Sequence, residues 1–146
     1  MTRINVVPPA SLTDRHLLAE YRELPRVFGL VAKAVARGET PETVGAPPRY
    51  VLGAGHVKFF YARLEWLRRR FEALVRELRR RGFAPTFASV PAFVAAIPRE
   101  WHGDYRPTRA AIGIARERIA ARLAEARRRK SMPKPVGARS KAKELV

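Results

Sequence analysis

Apolar residues return in steps of three and four over three separate stretches of the chain, the period of an amphipathic helix. In the first, Leu17, Tyr21, Leu24, Phe28, Val31 and Val35 form one stripe, predicting a helix over about residues 12–37. Ser11 with Asp14 offers a capping-box-like start and Gly38 a stop. Pro25 falls inside the stripe and removes one ladder hydrogen bond, which predicts a kink. In the second stretch Phe60, Leu64, Leu67, Phe71, Leu74 and Leu78 repeat the pattern, predicting a helix over about residues 56–81 with Gly82 just past its end. The third carries Ile112, Ala115, Ile119 and Leu123 inward, with Thr108 as cap and an end near Arg129. Between them, residues 38–55 and 83–107 are rich in Gly and Pro; residues 90–97 are expected to add a short helix. No alternating strand pattern competes. The expected fold class is all-α: a compact single domain of three main helices, with an extended N-terminal arm and a basic, disordered tail.

Charge sharpens that picture. The 146 residues hold 30 Lys and Arg against 13 Asp and Glu, a formal net charge of +17. Such a charge speaks about partners, and nucleic acid is the first candidate, ahead of an anionic membrane surface. From residue 127 onward, eight Lys or Arg face the single Glu144, so the chain divides into a domain at 1–126 and a flexible basic tail at 127–146. No apolar run is long enough to span a bilayer, and the start lacks the pattern of a secretory leader. With no cysteine, disulfides, thiolate catalysis and Cys-ligated metal are excluded. His16, His56 and His102 lie far apart, without ligand spacing. The expectation is a cytoplasmic, nucleoid-associated monomer with no metal, no cofactor and no membrane partner.

The candidate chemistry sits in the first twenty-six residues. Thr2 is small, so Met1 is expected to be removed, leaving a free α-amine. With a reference pKa of about 7.7–8.0, roughly a tenth of that amine is neutral at pH 7, far more than any lysine. A neutral amine attacks carbonyl-type carbon, and a nearby carboxylate moves the protons. On a helical wheel with Glu23 at zero, His16 falls near about +20°, Arg26 near −60° and Arg22 near −100°. The apolar stripe lies between roughly +80° and +160°. Arg22, Glu23, Arg26 and His16 thus share a face away from the core, and the residues after Arg3, at about 3.3 Å each, can bring the amine back beside Glu23. The bland alternative is a solvated face with Glu23 paired to Arg22 or Arg26.

Other signals point less sharply. Gly53-Ala54-Gly55-His56 before a helix is either a phosphate cradle or a flexible turn. His56 is read as a polar helix-start residue, and the triplets Arg68-Arg69-Arg70 and Arg79-Arg80-Arg81 as solvated or phosphate-facing. Glu20 is the one nearby acid for a two-carboxylate glycosidase, about 60° from Glu23 on the wheel.

Five segments carry a resemblance: MTRIN at 1–5, HLLAEYRELPRVFG at 16–29, LGAGHVKFFYARLEWLRRR at 52–70, RGF at 81–83 and GDYRP at 103–107. In order, they resemble the pyrimidine-dimer DNA glycosylase/AP lyases of the phage-type endonuclease V class. The resemblance implies a DNA-repair enzyme acting on UV-damaged double-stranded DNA. Thr2 would supply the nucleophilic α-amine, displacing the damaged base at C1′ and forming an imine that leads to β-elimination. Glu23 would be the catalytic carboxylate. Arg22 and Arg26 would clamp DNA, with Arg3 and His16 beside them; Arg118 matches a family arginine and Arg122 replaces a family lysine. The sequence departs from the family after the third helix, where an aromatic-rich segment gives way to Arg127-Arg128-Arg129-Lys130-Ser131-Met132-Pro133. Other damaged bases or plain abasic sites therefore stand as alternative substrates, with Tyr105, Trp101 or Phe87 as substitute stacking platforms or simply core residues. A non-catalytic basic nucleic-acid-binding module is the rival from another class.

Overall fold

The computed structural model describes residues 2–132. Four helices carry it: α1 (Asp14–Glu23), α2 (Pro25–Ala36), α3 (Leu64–Arg80) and α4 (Arg109–Ser131). Short 3-10 turns at Pro9–Ser11, Lys58–Phe60, Ala92–Ala96 and Arg99–Trp101 fill the connections. There is no strand among the described residues, only an isolated antiparallel bridge between Arg63 and His102. The all-α expectation holds, with the first of the three main helices divided in two. Residues 133–146 lie outside the described residues, and with them most of the tail; α4 itself continues past position 127 to Ser131.

The division falls where proline chemistry puts it. Leu24 keeps helical angles and donates its N–H to the Glu20 carbonyl at 2.8 Å. Pro25 then has no N–H to offer, and the ladder resumes with Val27 bonding Leu24 at 3.0 Å. α1 also starts later than the stripe suggests. Its cap is Thr13, whose hydroxyl accepts the His16 N–H at 3.3 Å. Ser11 instead closes the Pro8-Pro9 turn, its hydroxyl donating to the Pro8 carbonyl at 2.7 Å. The prolines hold the chain off helical geometry until Leu12, which is still extended and buried.

α3 begins eight residues after the expected His56. Gly55 has φ +88, and the segment after it is occupied by turns. The helix start is set from outside: the Gly103 N–H bonds the Ala62 carbonyl at 3.0 Å, and the Gly103 carbonyl accepts from Glu65 at 3.2 Å. A Cβ at position 103 would strike the Ala62 carbonyl oxygen, so glycine is required at this crossing. At the far end Gly82 (φ +90) and Phe83 close α3, with Phe83 N–H on Leu78 O at 3.0 Å and Gly82 N–H on Arg79 O at 3.0 Å. The 90–97 expectation is met by the 3-10 turn Ala92–Ala96.

α1 packs on α3, with Tyr21 stacked over Phe71 at 5.5 Å. Both apolar stripes are buried, apart from Val35, which is partly covered. α4 buries only Ala111 and Ala115 fully. Ile112 and Ile119 pack against the core half-exposed, and Leu123 is half-buried. Thr108 caps α4 as expected, its hydroxyl accepting from Ala111 at 3.0 Å. The N-terminal arm threads inside this frame, with Ile4, Val6 and Val7 buried.

Candidate active site and nucleic-acid interface

An extended arm has no helical ladder, so its buried backbone groups need other partners. Here side chains from three elements supply them. The Ile4 N–H donates to His56 Nε2 at 2.9 Å, and the Tyr50 hydroxyl donates to the Ile4 carbonyl at 3.0 Å. Asn5 donates both its backbone N–H (3.0 Å) and Nδ2 (2.9 Å) to Glu20 Oε1. Arg70 closes the set, with Nε on Glu20 Oε2 at 2.6 Å, Nη2 on Oε1 at 3.0 Å and Nη1 on the Val7 carbonyl. The Glu20 and Arg70 side chains are almost wholly buried. A charge there is tolerated only when paired and hydrogen-bonded, as both are.

Glu20 is therefore consumed by the arm and by Arg70, which rules out the two-carboxylate arrangement. His56 is likewise no helix-start residue. Its Nδ1–H donates to the Val51 carbonyl at 2.7 Å while Nε2 accepts from Ile4, a pattern that only the neutral ring can make. Burial holds its pKa below the ordinary value; the Val51 carbonyl pulls upward, and Arg3 and Arg118 push down again. Burial, followed by the Glu20 charge, pushes the Tyr50 phenol up to about 12, so it stays a donor.

Beyond the anchors the arm ends at Thr2, 9% exposed, and the half-buried Arg3. Thr2 and Arg3 line a recess of about 430 Å³ with Gly53, Gly55 and His56. The Gly53-Ala54-Gly55 segment is a turn, with His56 N–H on Gly53 O at 3.1 Å, and no helix follows it directly. His16, Arg118 and Arg122 line a groove of about 440 Å³ between α1 and α4, together with Arg15, Arg129 and Lys130. Its cations crowd one another. The His16 pKa is lowered by burial, then by Arg118, Arg15 and Arg122. The Arg118 pKa is lowered by burial, then by Arg3 and Arg122. Arg3 thus links recess and groove electrically. Positive groups held this close repel unless a polyanion intervenes.

Arg22 and Glu23 end α1, and Arg26 lies in the first turn of α2. The proline joint divides the helix between them, so Arg26 stands on a different helix from Arg22 and Glu23, and the single straight face read from the helical wheel does not apply. Arg22 and Arg26 are exposed, while Glu23 is half-buried.

The arginine triplets divide by role. Arg68 pairs with Glu65 and Glu72, Arg69 with Asp104, and Arg80 and Arg81 with Glu77. Arg81 also ties the start of the chain, bonding Asp14 and the carbonyls of Pro9, Ala10 and Leu12. Asn5, Tyr50 and Arg70 are the residues that sequence reasoning missed. A signal was present for Arg70 and Glu20. Arg70 stands between Leu67 and Leu74, and Glu20 between Leu17 and Leu24, each in phase with its apolar stripe. Two opposite charges at core phase on two packed helices are the mark of a buried pair.

Among the aromatic candidates, Trp101 is fully buried. Tyr105 is half-buried, edge-on to Phe59 and Trp66. Phe87 is 67% exposed, its backbone N–H and carbonyl both bonded to the Tyr21 hydroxyl at 2.8 and 2.9 Å. Among the described residues, no group of three or more His, Asp or Glu is arranged to hold a metal ion, and no helix is long and apolar enough to cross a membrane.

The family model for pyrimidine dimer DNA glycosylase matches residues 1–89. That span contains the arm, α1, α2, α3 and every arm anchor, while α4 and its cations lie beyond it. The match covers more than half of the chain: the chain belongs to the pyrimidine dimer DNA glycosylase family.

Proposed function

We propose that the protein is a bifunctional N-glycosylase and AP lyase acting on pyrimidine-dimer damage in duplex DNA, with the Thr2 α-amine as nucleophile. One observation carries this reading: residues 4, 5 and 7 of the arm are each bonded by buried side chains, and Glu20, three residues before Glu23, is one of the anchors. The arm's polar anchors would be an extravagant way to bury a chain start that does nothing.

With Met1 removed, the neutral Thr2 amine adds to C1′ of the damaged nucleotide and the base departs with its bonding electrons. Glu23 stabilises positive charge on the sugar and carries protons. The amine nitrogen then expels O4′, which takes a proton as the sugar ring opens, and the resulting imine withdraws electrons, so C2′ loses a proton, a C2′=C3′ bond forms and the C3′–O bond breaks. Arg3, His16, Arg22, Arg26, Arg118 and Arg122 hold the phosphates. The lesion is extruded before attack, most cheaply where stacking is already disturbed. The +17 charge supports salt-sensitive scanning of intact duplex.

Borohydride reduction on a duplex bearing a thymine dimer or an abasic site tests the proposal. A covalent protein–DNA adduct is expected, and an extra residue added before Thr2 should abolish it. A protein that binds duplex DNA but never traps would be the non-catalytic module instead.

A further inference from the structure

Thr2 opens into the recess of about 430 Å³ whose other wall carries Gly45, Gly53, Gly55 and Lys58. Among the described residues, none that lines it is acidic. Arg3 has Nη1 buried without a hydrogen-bond partner, and Lys58 is exposed with no ion pair among the described residues. The three glycines have φ of +80, +69 and +88, and a Cβ added at Gly45 or Gly53 would meet nothing within 4 Å. The glycine side of the recess is therefore bare backbone, with room for a large group, and among the described residues its charged side chains, Arg3 and Lys58, are positive. A strand phosphate is the ligand that such a lining recognises.

We propose that this recess receives the phosphodiester on the 3′ side of the damaged sugar, and that Lys58 with Arg3 neutralises that phosphate as it leaves. The inference rests on the amine chemistry proposed above. In the ring-opened imine on the Thr2 nitrogen, the 3′ phosphorus lies two bonds nearer to C1′ than the 5′ phosphorus does. It is thus the phosphate carried into the same recess as the amine. Charge supplies the second reason. Base release leaves both flanking phosphodiesters singly charged. Elimination moves the C2′–H electron pair into C2′=C3′ and the C3′–O pair onto the phosphate, which becomes a monoester with a second ionisation near pH 6. The proton from C2′ passes to the carboxylate. Cations in the recess thus meet growing charge only in the scission step, the condition for accelerating it.

The test compares wild type with Lys58→Ala and Lys58→Arg on duplexes carrying a thymine dimer or a preformed abasic site. Base release and strand scission are scored separately, and borohydride trapping is followed in time. Lys58→Ala is expected to lower the ratio of scission to base release about tenfold and to prolong the trappable imine, with Lys58→Arg restoring the ratio. Lys58 is exposed, so an unchanged melting temperature should confirm folding. An equal fall in both steps would reduce Lys58 to a general DNA contact and overturn the proposal, as would no change in either. A wild type that traps and cuts beside such a variant sinks the recess alone; a wild type that never traps sinks the amine chemistry as well.

Discussion

Arg70→Met removes the cation that faces Glu20 inside the protein, leaving a buried carboxylate with only the two Asn5 donors. Breaking a buried pair from one side costs about 3–5 kcal/mol, because the remaining charge stays desolvated. For a chain of this size, where 1 kcal/mol moves the melting point by about 3 °C, the loss is roughly 10–15 °C. The double variant Glu20→Leu/Arg70→Met separates two roles. It removes both charges and recovers the electrostatic share, but Asn5 keeps two donors without an acceptor, a residual cost of about 1–3 kcal/mol. The double variant should therefore melt well above Arg70→Met yet below wild type. Its arm has lost the hold that Glu20 exerts on Asn5, so borohydride trapping at a temperature where the variant is fully folded should slow by at least about tenfold, since small misplacements of a nucleophile cost that much. Thermal and urea unfolding, read beside trapping kinetics, check both parts. A loss below about 1 kcal/mol for Arg70→Met, smaller than buried pairs show, refutes the stability claim. A fully folded double variant that traps at the wild-type rate refutes the claim that the arm's register governs the amine.

Glu23→Gln should keep its affinity for damaged duplex while losing base release by about two orders of magnitude or more, the range for a proton-transfer residue; activity near wild type would remove Glu23 from the chemistry. Arg26→Ala should weaken binding to damaged and intact DNA alike and reduce the slope of log K against log salt by about one contact; titration at several salt concentrations reads this directly, and an unchanged slope excludes Arg26 from phosphate contact. His56 has a folded pKa below its unfolded value of 6.5, so the unfolded chain binds its proton more readily. Its contribution to stability is present above about pH 6.5 and is lost as pH falls towards the folded pKa. Melting temperatures between pH 7.5 and 5 should fall less steeply for His56→Gln than for wild type, and parallel curves would show that His56 is not among the groups responsible.

Helical periodicity made most of the fold legible. The stripes on α1, α2 and α3 are the core, and Gly82 and Thr108 act as terminators where the pattern placed them. What periodicity could not show were the starts of α1 and α3, because each is decided by a partner distant in sequence or by turn chemistry. Arg81 grips the carbonyls before α1 from the far end of α3, and Gly103 occupies the head of α3. The site divides the same way. Thr2 as a small residue after Met1, and Glu23 with its flanking arginines next to Pro25, are candidates that the sequence offers by residue type. Tyr50 and His56 look like ordinary loop residues, and their meaning comes only from the backbone of Ile4 lying between them.

The two halves of the site are under opposite electrostatic rules, and their contrast explains how the fold can support the chemistry. Around Asn5, the Glu20 carboxylate meets four donors from Asn5 and Arg70, so the arm's charges are satisfied internally and DNA adds nothing there. Around Arg3 and Arg118 the reverse holds: Arg3 lowers the proton affinity of Arg118, both lower that of His56, and among the described residues the groove between α1 and α4 has Glu125 as its one acidic lining residue. Glu125 spends itself on Arg122 at 3.5 Å and Arg129 at 2.7 Å, both on its own helix. The repulsion left over is a standing cost in the free protein, and phosphates entering the groove would relieve it. On the proposed reading, DNA binding would be concentrated at the end of the arm, while the arm's register is fixed by internal contacts to Glu20, Tyr50, His56 and Arg70. A nucleophile on a flexible chain start would have to be ordered on every encounter. If the Thr2 amine is the nucleophile, as proposed, the buried anchors of residues 4, 5 and 7 order it before any DNA arrives, and the cations beside it favour a strand phosphate at that end of the arm.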